Sequence, residues 1–303
     1  MSPIEVIINA SGGSFVAGET EQLLADLFAA SGIEVNLRLA GSGDQIELFA
    51  KAAVDSDAEV VLAGGGDGTI SSVAAVVAAS GKTFGVLPLG TLNNFSKDLN
   101  IPQDIAEAIR VIAEGKTAEI DLAEVNGRKF INNSSIGLYP RIVRKRDQHQ
   151  QRLGYGKWRA AFWAAISIFR ISPFLKVEIL VDGKLFVRKT PFVFVGNNEY
   201  EMEIYNIGRR PKLDKGRLSI YFLHRGGRLG VIMLLLRTIT GTVRQWRDFE
   251  EVLTDSIRIG TRRKRMQVAF DGEVASVEMP LQYRILPKAL RVIVPAEKTE
   301  EDA

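Results

Sequence analysis

The turn Ala63-Gly64-Gly65-Gly66-Asp67-Gly68-Thr69 follows directly on a short apolar run, residues 58–62. Its glycines allow the backbone to approach a ligand closely, so that consecutive N–H groups can surround an anion. Thr69 can cap a helix that begins near Ile70, and the N-terminus of a helix favours negative charge. Asp67 would repel phosphate unless a divalent cation lies between them, as in phosphoryl transfer. The stretch therefore predicts a phosphate-binding turn, and the alternative is a plain glycine turn followed by a helix cap.

A second glycine turn lies in Gly85-Val86-Leu87-Pro88-Leu89-Gly90-Thr91-Leu92-Asn93-Asn94-Phe95, again between a short apolar strand and a helix. Together the two turns resemble the nucleotide site of the diacylglycerol kinase catalytic-domain family, which includes bacterial lipid kinases and the sphingosine and ceramide kinases. NAD kinases and phosphofructokinases share the first turn. The family's usual second turn has Asp where this chain has Asn94, and an amide can still hydrogen-bond ribose or phosphate oxygens. The resemblance implies ATP and Mg²⁺ as cofactors.

The first predicted strand also ends in a polar turn, residues 9–14. Ligands of parallel α/β sheets bind beyond the carboxyl ends of the strands, so we expect three strand ends to meet at one phosphate-binding rim. The resemblance assigns nucleotide contacts to eleven residues of the three turns: Asn9, Ser11, Gly12, Gly65, Gly66, Asp67, Gly68, Thr69, Gly90, Thr91 and Asn94. It also implies that Asp67 holds the metal ion together with the nucleotide.

Length and composition restrict the class of protein. A chain of 303 residues favours two domains, and 46% apolar with 25% charged residues is typical of globular proteins with full cores. The absence of cysteine excludes disulfides and thiol chemistry, and two histidines far apart in sequence argue against a zinc site. The N-terminus has no secretory pattern, and no apolar run approaches the roughly twenty residues of a spanning helix, so we expect a cytoplasmic protein.

The two halves of the chain have different patterns. Residues 1–120 alternate strand-like and helical runs, which predicts an α/β domain with a mostly parallel sheet. The strands are expected at 5–9, 34–39, 59–62 and 83–87, and the helices near 19–31, 44–55, 70–80 and 103–113. Residues 121–287 are rich in strand-like runs and hairpin turns, which predicts a second, β-rich antiparallel domain resembling a sandwich. In the family's fold the last strand returns to the first domain, here with residues 288–303.

The strands of the second half are expected at 119–125, 130–134, 176–181, 186–195, 217–223, 256–261, 267–271, 281–286 and 289–294. Two helical inserts are expected between them, at 152–170 and 230–244. The resemblance to lipid kinases continues through this half, because residues 132–140, 195–198 and 271–273 resemble family segments in the right order. The resemblance therefore covers nearly the whole chain.

The second half contains the candidate catalytic base. Transfer of a phosphoryl group to an alcohol needs a base that accepts the hydroxyl proton. In the family the proposed base is the acidic residue that ends the segment Asp271-Gly272-Glu273, which assigns the role to Glu273 and makes Asp67 and Glu273 the predicted catalytic residues. The alternatives are that Glu273 is a solvated hairpin residue and that Asp271 caps the backbone instead.

A basic cluster favours a membrane partner. Seven basic residues lie within a short stretch: Arg141, Arg144, Lys145, Arg146, Arg152, Lys157 and Arg159. Each basic residue near an anionic lipid surface contributes about 1 kcal/mol. The apolar face predicted within 152–170 could contact lipid or pack against the β-rich domain, and both alternatives stay open. No nucleic-acid partner is expected, because nothing resembles a DNA- or RNA-reading module. A homodimer is possible.

These observations predict an ATP-dependent lipid kinase, associated peripherally with an anionic membrane. Its substrate is diacylglycerol or a related lipid such as ceramide, sphingosine or phosphatidylglycerol. One alternative is an NAD kinase-like enzyme, although the Asn-Glu pair that would read a dinucleotide occurs only at Asn198-Glu199, too late in the chain. The other alternative is a catalytically silent nucleotide or lipid sensor, which the intact Asp67, Thr69, Thr91 and Glu273 disfavour.

One segment departs from the family pattern. Many bacterial members carry an acidic residue directly before the glycine of an Asp-Gly turn in the second domain, where it holds a structural Mg²⁺ or Ca²⁺ with backbone carbonyls. Here Lys215 stands in that place, between Asp214 and Gly216. An ammonium group would be repelled by a divalent cation, so we expect this structural metal site to be absent. The alternative is that Asp214 takes the vacant role.

Overall fold

The computed structural model of the protein describes residues 3–11, 18–137, 174–200, 210–223 and 249–296. The chain divides into two compact units. The first comprises residues 1–122, 212–214 and 286–303, and the second comprises residues 123–211 and 215–285. Gly12 and the predicted helical inserts at 152–170 and 230–244 lie outside the described residues.

The first unit is built on a parallel sheet. Its strands are β1 (Ile4–Asn9), β2 (Val35–Ala40), β3 (Val60–Gly65), β4 (Thr83–Pro88) and the last part of β16 (Leu281–Val294). They lie in the order β2-β1-β3-β4-β16, and every neighbouring pair in this series runs parallel. The central strands β1, β3 and β4 are almost entirely buried, which explains their continuous apolar sequences.

The described helices of the first unit alternate with these strands. They are α1 (Glu19–Ala30), α2 (Gly43–Asp55), α3 (Asp67–Val77), α4 (Asn94–Asp98) and α5 (Ile105–Glu114). Two of them begin at side-chain caps, since Ser42 accepts a hydrogen bond from the Gln45 N–H and Asp104 accepts one from the Glu107 N–H. None of the described helices has both the length and the apolar character needed to cross a membrane.

The second unit is antiparallel and β-rich. One sheet has the order β12-β11-β10-β7-β14-β15. Its strands are β7 (Asn133–Gly137), β10 (Phe192–Asn197), β11 (Leu218–Leu223), β12 (Phe249–Thr254), β14 (Arg265–Phe270) and β15 (Glu273–Glu278). The remaining strands of the unit include β8 (Leu175–Val181), β9 (Lys184–Thr190), β13 (Ser256–Gly260) and the first part of β16. Strand β5 (Lys116–Val125) leads into this unit and forms a hairpin with β6 (Arg128–Phe130).

A single apolar core fills the second unit. Strand β8 buries every second residue, Val177, Ile179 and Val181, and exposes the residues between them. The buried set packs with apolar residues of both groups of strands, including Ile136, Val195 and Val268. The predicted fold class, an α/β domain followed by an antiparallel β-rich domain, is confirmed.

Several predicted strand limits in the second half are wrong. The single strand expected at 130–134 is two strands, β6 and β7, because the N–H groups of residues 131–133 bind a carboxylate instead of a neighbouring strand. The strand expected at 186–195 divides at Pro191, which has no N–H for a sheet ladder. The strands expected at 281–286 and 289–294 form one, β16, and β12 and β15 were not predicted.

Candidate functional site

Three neighbouring strands of the first unit end in polar turns at one edge of the parallel sheet. Strands β1, β3 and β4 are adjacent and parallel, so their carboxyl ends lie side by side. The side chain of Asn9, at the end of β1, reaches the turn after β3: its Nδ2 donates to Thr69 Oγ1 at 2.9 Å. The three turns that sequence analysis singled out therefore meet at one rim.

The turns after β3 and β4 touch through their backbones. A Cβ atom on Gly90 would lie 2.5 Å from the Cα of Gly66 and 2.7 Å from Asn93 Oδ1, so only glycine fits at this position. Asn93 stabilises the second turn with two side-chain hydrogen bonds. Its Oδ1 accepts from the Gly90 N–H at 2.9 Å, and its Nδ2 donates to the Pro88 carbonyl at 3.1 Å. Asn93 is buried and adopts a left-handed backbone conformation, which asparagine tolerates. Sequence analysis did not identify this residue as part of the site.

Asp67 joins the same two turns through its carboxylate. Oδ2 accepts hydrogen bonds from the backbone N–H of Asn94 at 3.3 Å and from its Nδ2 at 3.2 Å. Oδ1 accepts from the Phe95 N–H at 3.1 Å. Asp67 thus caps the start of α4, a role that sequence analysis did not foresee. An ionised carboxylate has about four acceptor positions, so about one of them, on Oδ1, is left for a metal ion.

Helix α3 begins at Asp67, with Gly66 as its N-terminal cap residue, and among the described residues no side chain caps it. The expectation that Thr69 caps a helix beginning near Ile70 is therefore wrong, because Thr69 lies inside the first turn of α3. Its hydroxyl instead accepts the hydrogen bond from Asn9. The first N–H groups of a helix without a side-chain cap, together with the helix dipole, suit an anion.

The remaining predicted nucleotide contacts are distributed around this rim. Ser11 is exposed, and its backbone N–H and hydroxyl both donate to Asn9 Oδ1, at 3.0 and 2.8 Å. Gly65 has a backbone φ of 153°, and a Cβ atom there would collide with Thr69. Gly68 is the second residue of α3, and Thr91 is exposed in the turn after β4.

In the second unit, the predicted base Glu273 is the first residue of β15 rather than a loop residue. Its Oε2 accepts a hydrogen bond from Arg128 Nη2 at 3.2 Å, and both side chains are about half exposed. The Arg128 guanidinium also lies over the Phe270 ring, 4.6 Å from its centroid. Sequence analysis did not find Arg128, because its partner lies far along the chain.

The turn that presents Glu273 is anchored by Asp271. The carboxylate of Asp271 accepts three backbone hydrogen bonds, at 2.8 to 2.9 Å, from the N–H groups of Ile131, Asn132 and Asn133. The opposite side of the same segment is held by the buried Arg210, whose guanidinium donates to the Ile131 carbonyl at 2.5 Å and to Asn132 Oδ1 at 2.6 Å. The capping role that sequence analysis gave as an alternative for Asp271 is the one observed.

The segment that departs from the family pattern has one carboxylate, that of Asp214, next to Lys215. Asp214 and Lys215 are both exposed, and the backbone N–H of Lys215 donates to Asn198 Oδ1 at 3.0 Å. Within the part of the chain that the structure describes, no three His, Asp or Glu side chains come together as a metal site would require. The loss of the structural metal stays a prediction.

Comparison with known proteins identifies the family. Residues 3–125 match the diacylglycerol kinase catalytic domain, and residues 134–294 match the YegS C-terminal NAD kinase beta sandwich-like domain. The chain belongs to the diacylglycerol kinase family of lipid kinases. The resemblance inferred from the glycine turns is thereby confirmed.

Individual relatives extend the match to the whole chain. A "Diacylglycerol kinase" of Bacillus subtilis (strain 168) is 25% identical over 308 aligned positions, which cover 99% of both proteins. A "Probable lipid kinase YegS-like" of Klebsiella pneumoniae (strain 342) is 38% identical over 128 positions, 41% of this chain and 42% of that protein. A solved diacylglycerol kinase structure from Bacillus anthracis str. Sterne has a TM-score of 0.72 at 21% identity and covers 98% of both chains, a likeness of fold.

Proposed function

We propose that this lipid kinase transfers the γ-phosphoryl group of ATP to the hydroxyl of diacylglycerol or of a related lipid. The observation that carries the proposal is the joined rim of the first unit, where Asn9, Asp67 and Asn94 connect three turns beside the N-terminus of α3. A site of this kind favours a polyphosphate, because backbone N–H groups and the helix dipole act on it together.

The first unit is the nucleotide-binding part of this proposal. The N-terminus of α3 holds phosphate oxygens, and the glycine contact between Gly66 and Gly90 keeps side chains out of the space that the phosphates need. Asp67 fits a role in holding Mg²⁺, because Oδ1 accepts only one of the hydrogen bonds described for this carboxylate. The ion would neutralise charge on the phosphate oxygens.

The second unit supplies the base and binds the lipid. Glu273 accepts the proton of the lipid hydroxyl. At the same time the hydroxyl oxygen forms a bond to the γ-phosphorus, and the bond from the γ-phosphorus to the bridging oxygen of the β-phosphate breaks, so that ADP leaves. Arg128 holds the Glu273 carboxylate in place before the reaction. Asp271 fixes the turn that carries Glu273, so the base starts from a defined position.

The substrate class places the reaction at a membrane. Diacylglycerol and its relatives stay in the bilayer, so the enzyme works as a peripheral protein on the cytoplasmic face, attracted by anionic lipid. The basic cluster of residues 141–159 supports this part of the proposal.

A lipid panel tests the proposal. The protein is incubated with MgCl₂, ATP labelled on its γ-phosphate and mixed micelles that contain diacylglycerol, ceramide, sphingosine or phosphatidylglycerol, with NAD as a water-soluble acceptor. We expect label in the lipid phase, dependence on Mg²⁺ and loss of transfer in Asp67→Ala. Label in NAD would replace this proposal with an NAD kinase, and ATP binding without transfer to any acceptor would favour a silent sensor.

A further inference from the structure

The outer face of the hairpin β8–β9 exposes aliphatic side chains. Leu180, Leu185 and Val187 are exposed by 37%, 64% and 49%, although they lie within regular strands. The register pairs Leu180 with Leu185 and Glu178 with Val187, and directly opposed residues of an antiparallel pair share a face. The three aliphatic groups therefore form one patch, on the side of the sheet away from the core residues Val177, Ile179 and Val181.

Basic residues surround this aliphatic patch. The pairing of Lys176 with Lys189 puts two ammonium groups at one end of the same face. Arg258 of the neighbouring strand β13 pairs with Leu180, so its guanidinium borders the patch from the side. All three are exposed.

A basic loop continues the same edge. Residues 262–264, Arg-Arg-Lys, lie one residue beyond the end of β13 and are all exposed. Gly260 pairs with Glu178, the last pair of this register, so the chain leaves β13 at the end of the sheet nearest Lys176. No side chain of this loop pairs with a carboxylate among the described residues. The face as a whole carries six cations and one carboxylate, that of Glu178.

We propose that this outer face, built on β8, β9 and β13 with the loop 262–264, is a contact surface for an anionic lipid bilayer. Aliphatic side chains with neighbouring cations suit the boundary between acyl chains and anionic headgroups, where each Lys or Arg contributes about 1 kcal/mol. The inference rests on the proposed lipid kinase function and adds to it a defined membrane-binding surface.

The charge distribution argues against two other occupants. A two-fold interface between copies of this chain would bring the same cations of both copies together, which is unfavourable. Single-stranded nucleic acid binds through aromatic platforms, and this face offers aliphatic groups instead.

Vesicle flotation of the full chain tests the charged part of this surface. The triple variant Arg262→Ala/Arg263→Ala/Lys264→Ala is compared with the matched variant Lys51→Ala/Arg110→Ala/Lys116→Ala, which removes the same charge from exposed positions of the first unit. On vesicles of phosphatidylglycerol and phosphatidylcholine, the loop variant should bind about a hundredfold more weakly than the wild type. Equal weakening in the matched variant, or none in the loop variant, would overturn the proposal.

A second pair of variants tests the aliphatic part. Leu185→Ser should weaken vesicle binding about tenfold even at high salt, whereas Leu48→Ser, at a similarly exposed position of the first unit, should not. Sedimentation of the wild type and of Leu185→Ser tests whether a second copy of the chain covers this face instead. A dimer that dissociates in Leu185→Ser would make the face a subunit interface and would overturn the proposal.

The kinase assay separates this inference from the proposed function. Transfer to a short-chain, water-soluble diacylglycerol should be the same in the wild type and in the surface variants, while transfer to long-chain diacylglycerol in anionic vesicles should fall with vesicle binding. If the wild type phosphorylates no lipid but floats with anionic vesicles, the proposed kinase function is refuted and the proposed membrane-binding surface stands. If the wild type phosphorylates lipid but does not float with anionic vesicles, only the proposed membrane-binding surface is refuted.

Discussion

The side-chain amide of Asn94 donates to the carboxylate of Asp67, with 3.2 Å between Nδ2 and Oδ2. This contact gives Asn94, which stands where the family usually has Asp, a structural role in joining the two turns. An aspartate at position 94 would put a second carboxylate against Asp67 and would remove the donor, which is unfavourable without a cation between them. The neutral amide of Asn94 instead adds a hydrogen bond between the two turns without needing a cation.

Asn94→Asp should therefore make the first unit depend on a divalent cation. We expect the variant to be about 1 kcal/mol less stable than the wild type in EDTA, because a hydrogen bond to a charged group is replaced by repulsion. Added Mg²⁺ should restore more stability to the variant than to the wild type. Thermal unfolding with and without Mg²⁺ measures this, with Asn100→Asp, another exposed asparagine just after α4, as the charge control. An unchanged melting temperature of Asn94→Asp in EDTA would show the prediction wrong.

Asp67→Ala should abolish phosphoryl transfer while the protein stays folded. The substitution removes both the acceptor for the start of α4 and the carboxylate proposed for Mg²⁺. Asp67→Asn keeps one acceptor oxygen but loses the charge, so it should retain more stability than Asp67→Ala and still transfer poorly. Circular dichroism and initial rates distinguish the two roles. Near-wild-type transfer in Asp67→Asn would exclude a metal-binding role for this residue.

Glu273→Ala should lower the rate of transfer without changing nucleotide affinity. Positioned acid–base groups contribute about 10² to 10⁴ in rate, so a loss in this range is expected. Arg128→Ala is the companion variant, because it removes the ion-pair partner of Glu273 but leaves the base. It should reduce turnover less than Glu273→Ala does. A loss below about tenfold in Glu273→Ala would remove Glu273 as the base.

The glycine turns could be predicted because their signal is local. Short apolar runs that end in glycine, threonine and asparagine mark the carboxyl ends of parallel strands, and the structure puts these ends side by side. The partners of the site residues could not be predicted, because each contact joins distant parts of the chain. Asp67 looked unfavourable beside phosphate, yet it accepts hydrogen bonds from Asn94 and Phe95. Asn93 gave no signal, since its role depends on a left-handed backbone conformation.

In the second unit, too, the contacts that could not be predicted join residues far apart in the sequence. The strand-like run at 130–134 predicts one strand, and nothing local indicates that the Asp271 carboxylate binds the N–H groups of residues 131–133. Glu273 was found only through the resemblance of its segment to lipid kinases. Its ion pair with Arg128 needs the folded arrangement of β6 and β15.

Asp271→Ala should destabilise the second unit and disturb catalysis. Three backbone N–H groups lose their acceptor, and an unsatisfied or weakened group costs about 1 kcal/mol or more, so a total loss near 3 kcal/mol is expected. Turnover should fall more than the apparent affinity for ATP, because the turn that carries Glu273 loses its anchor. Asp182→Ala is the matched control, an exposed aspartate at a hairpin turn with a similar positive φ. Equal effects of the two substitutions would contradict an anchoring role.

Binding to vesicles should depend on anionic lipid and weaken with salt. Exposed charges act within a Debye length of about 8 Å at physiological ionic strength, so added salt should release the protein. Neutralising Arg144, Lys145 and Arg146 as glutamines should weaken binding further. Flotation over a salt series measures both effects. Equal binding to neutral and anionic vesicles would exclude electrostatic attraction.

The last prediction concerns the structural metal site of many bacterial family members, in which Lys215 occupies the position of an acidic ligand. The nucleotide-free protein should contain no tightly bound divalent cation, because an ammonium stands where the acidic ligand is usual and hard cations need several oxygen ligands. Lys215→Asp should create the site, so that Ca²⁺ or Mg²⁺ raises the melting temperature of this variant but not of the wild type. Lys212→Asp, an exposed lysine of the same segment, is the control for the change in charge. Elemental analysis and anomalous density from manganese-soaked crystals measure occupancy directly. A well-occupied ion at Asp214 in the wild type would mean that Asp214 replaces the missing ligand, and that the site was kept.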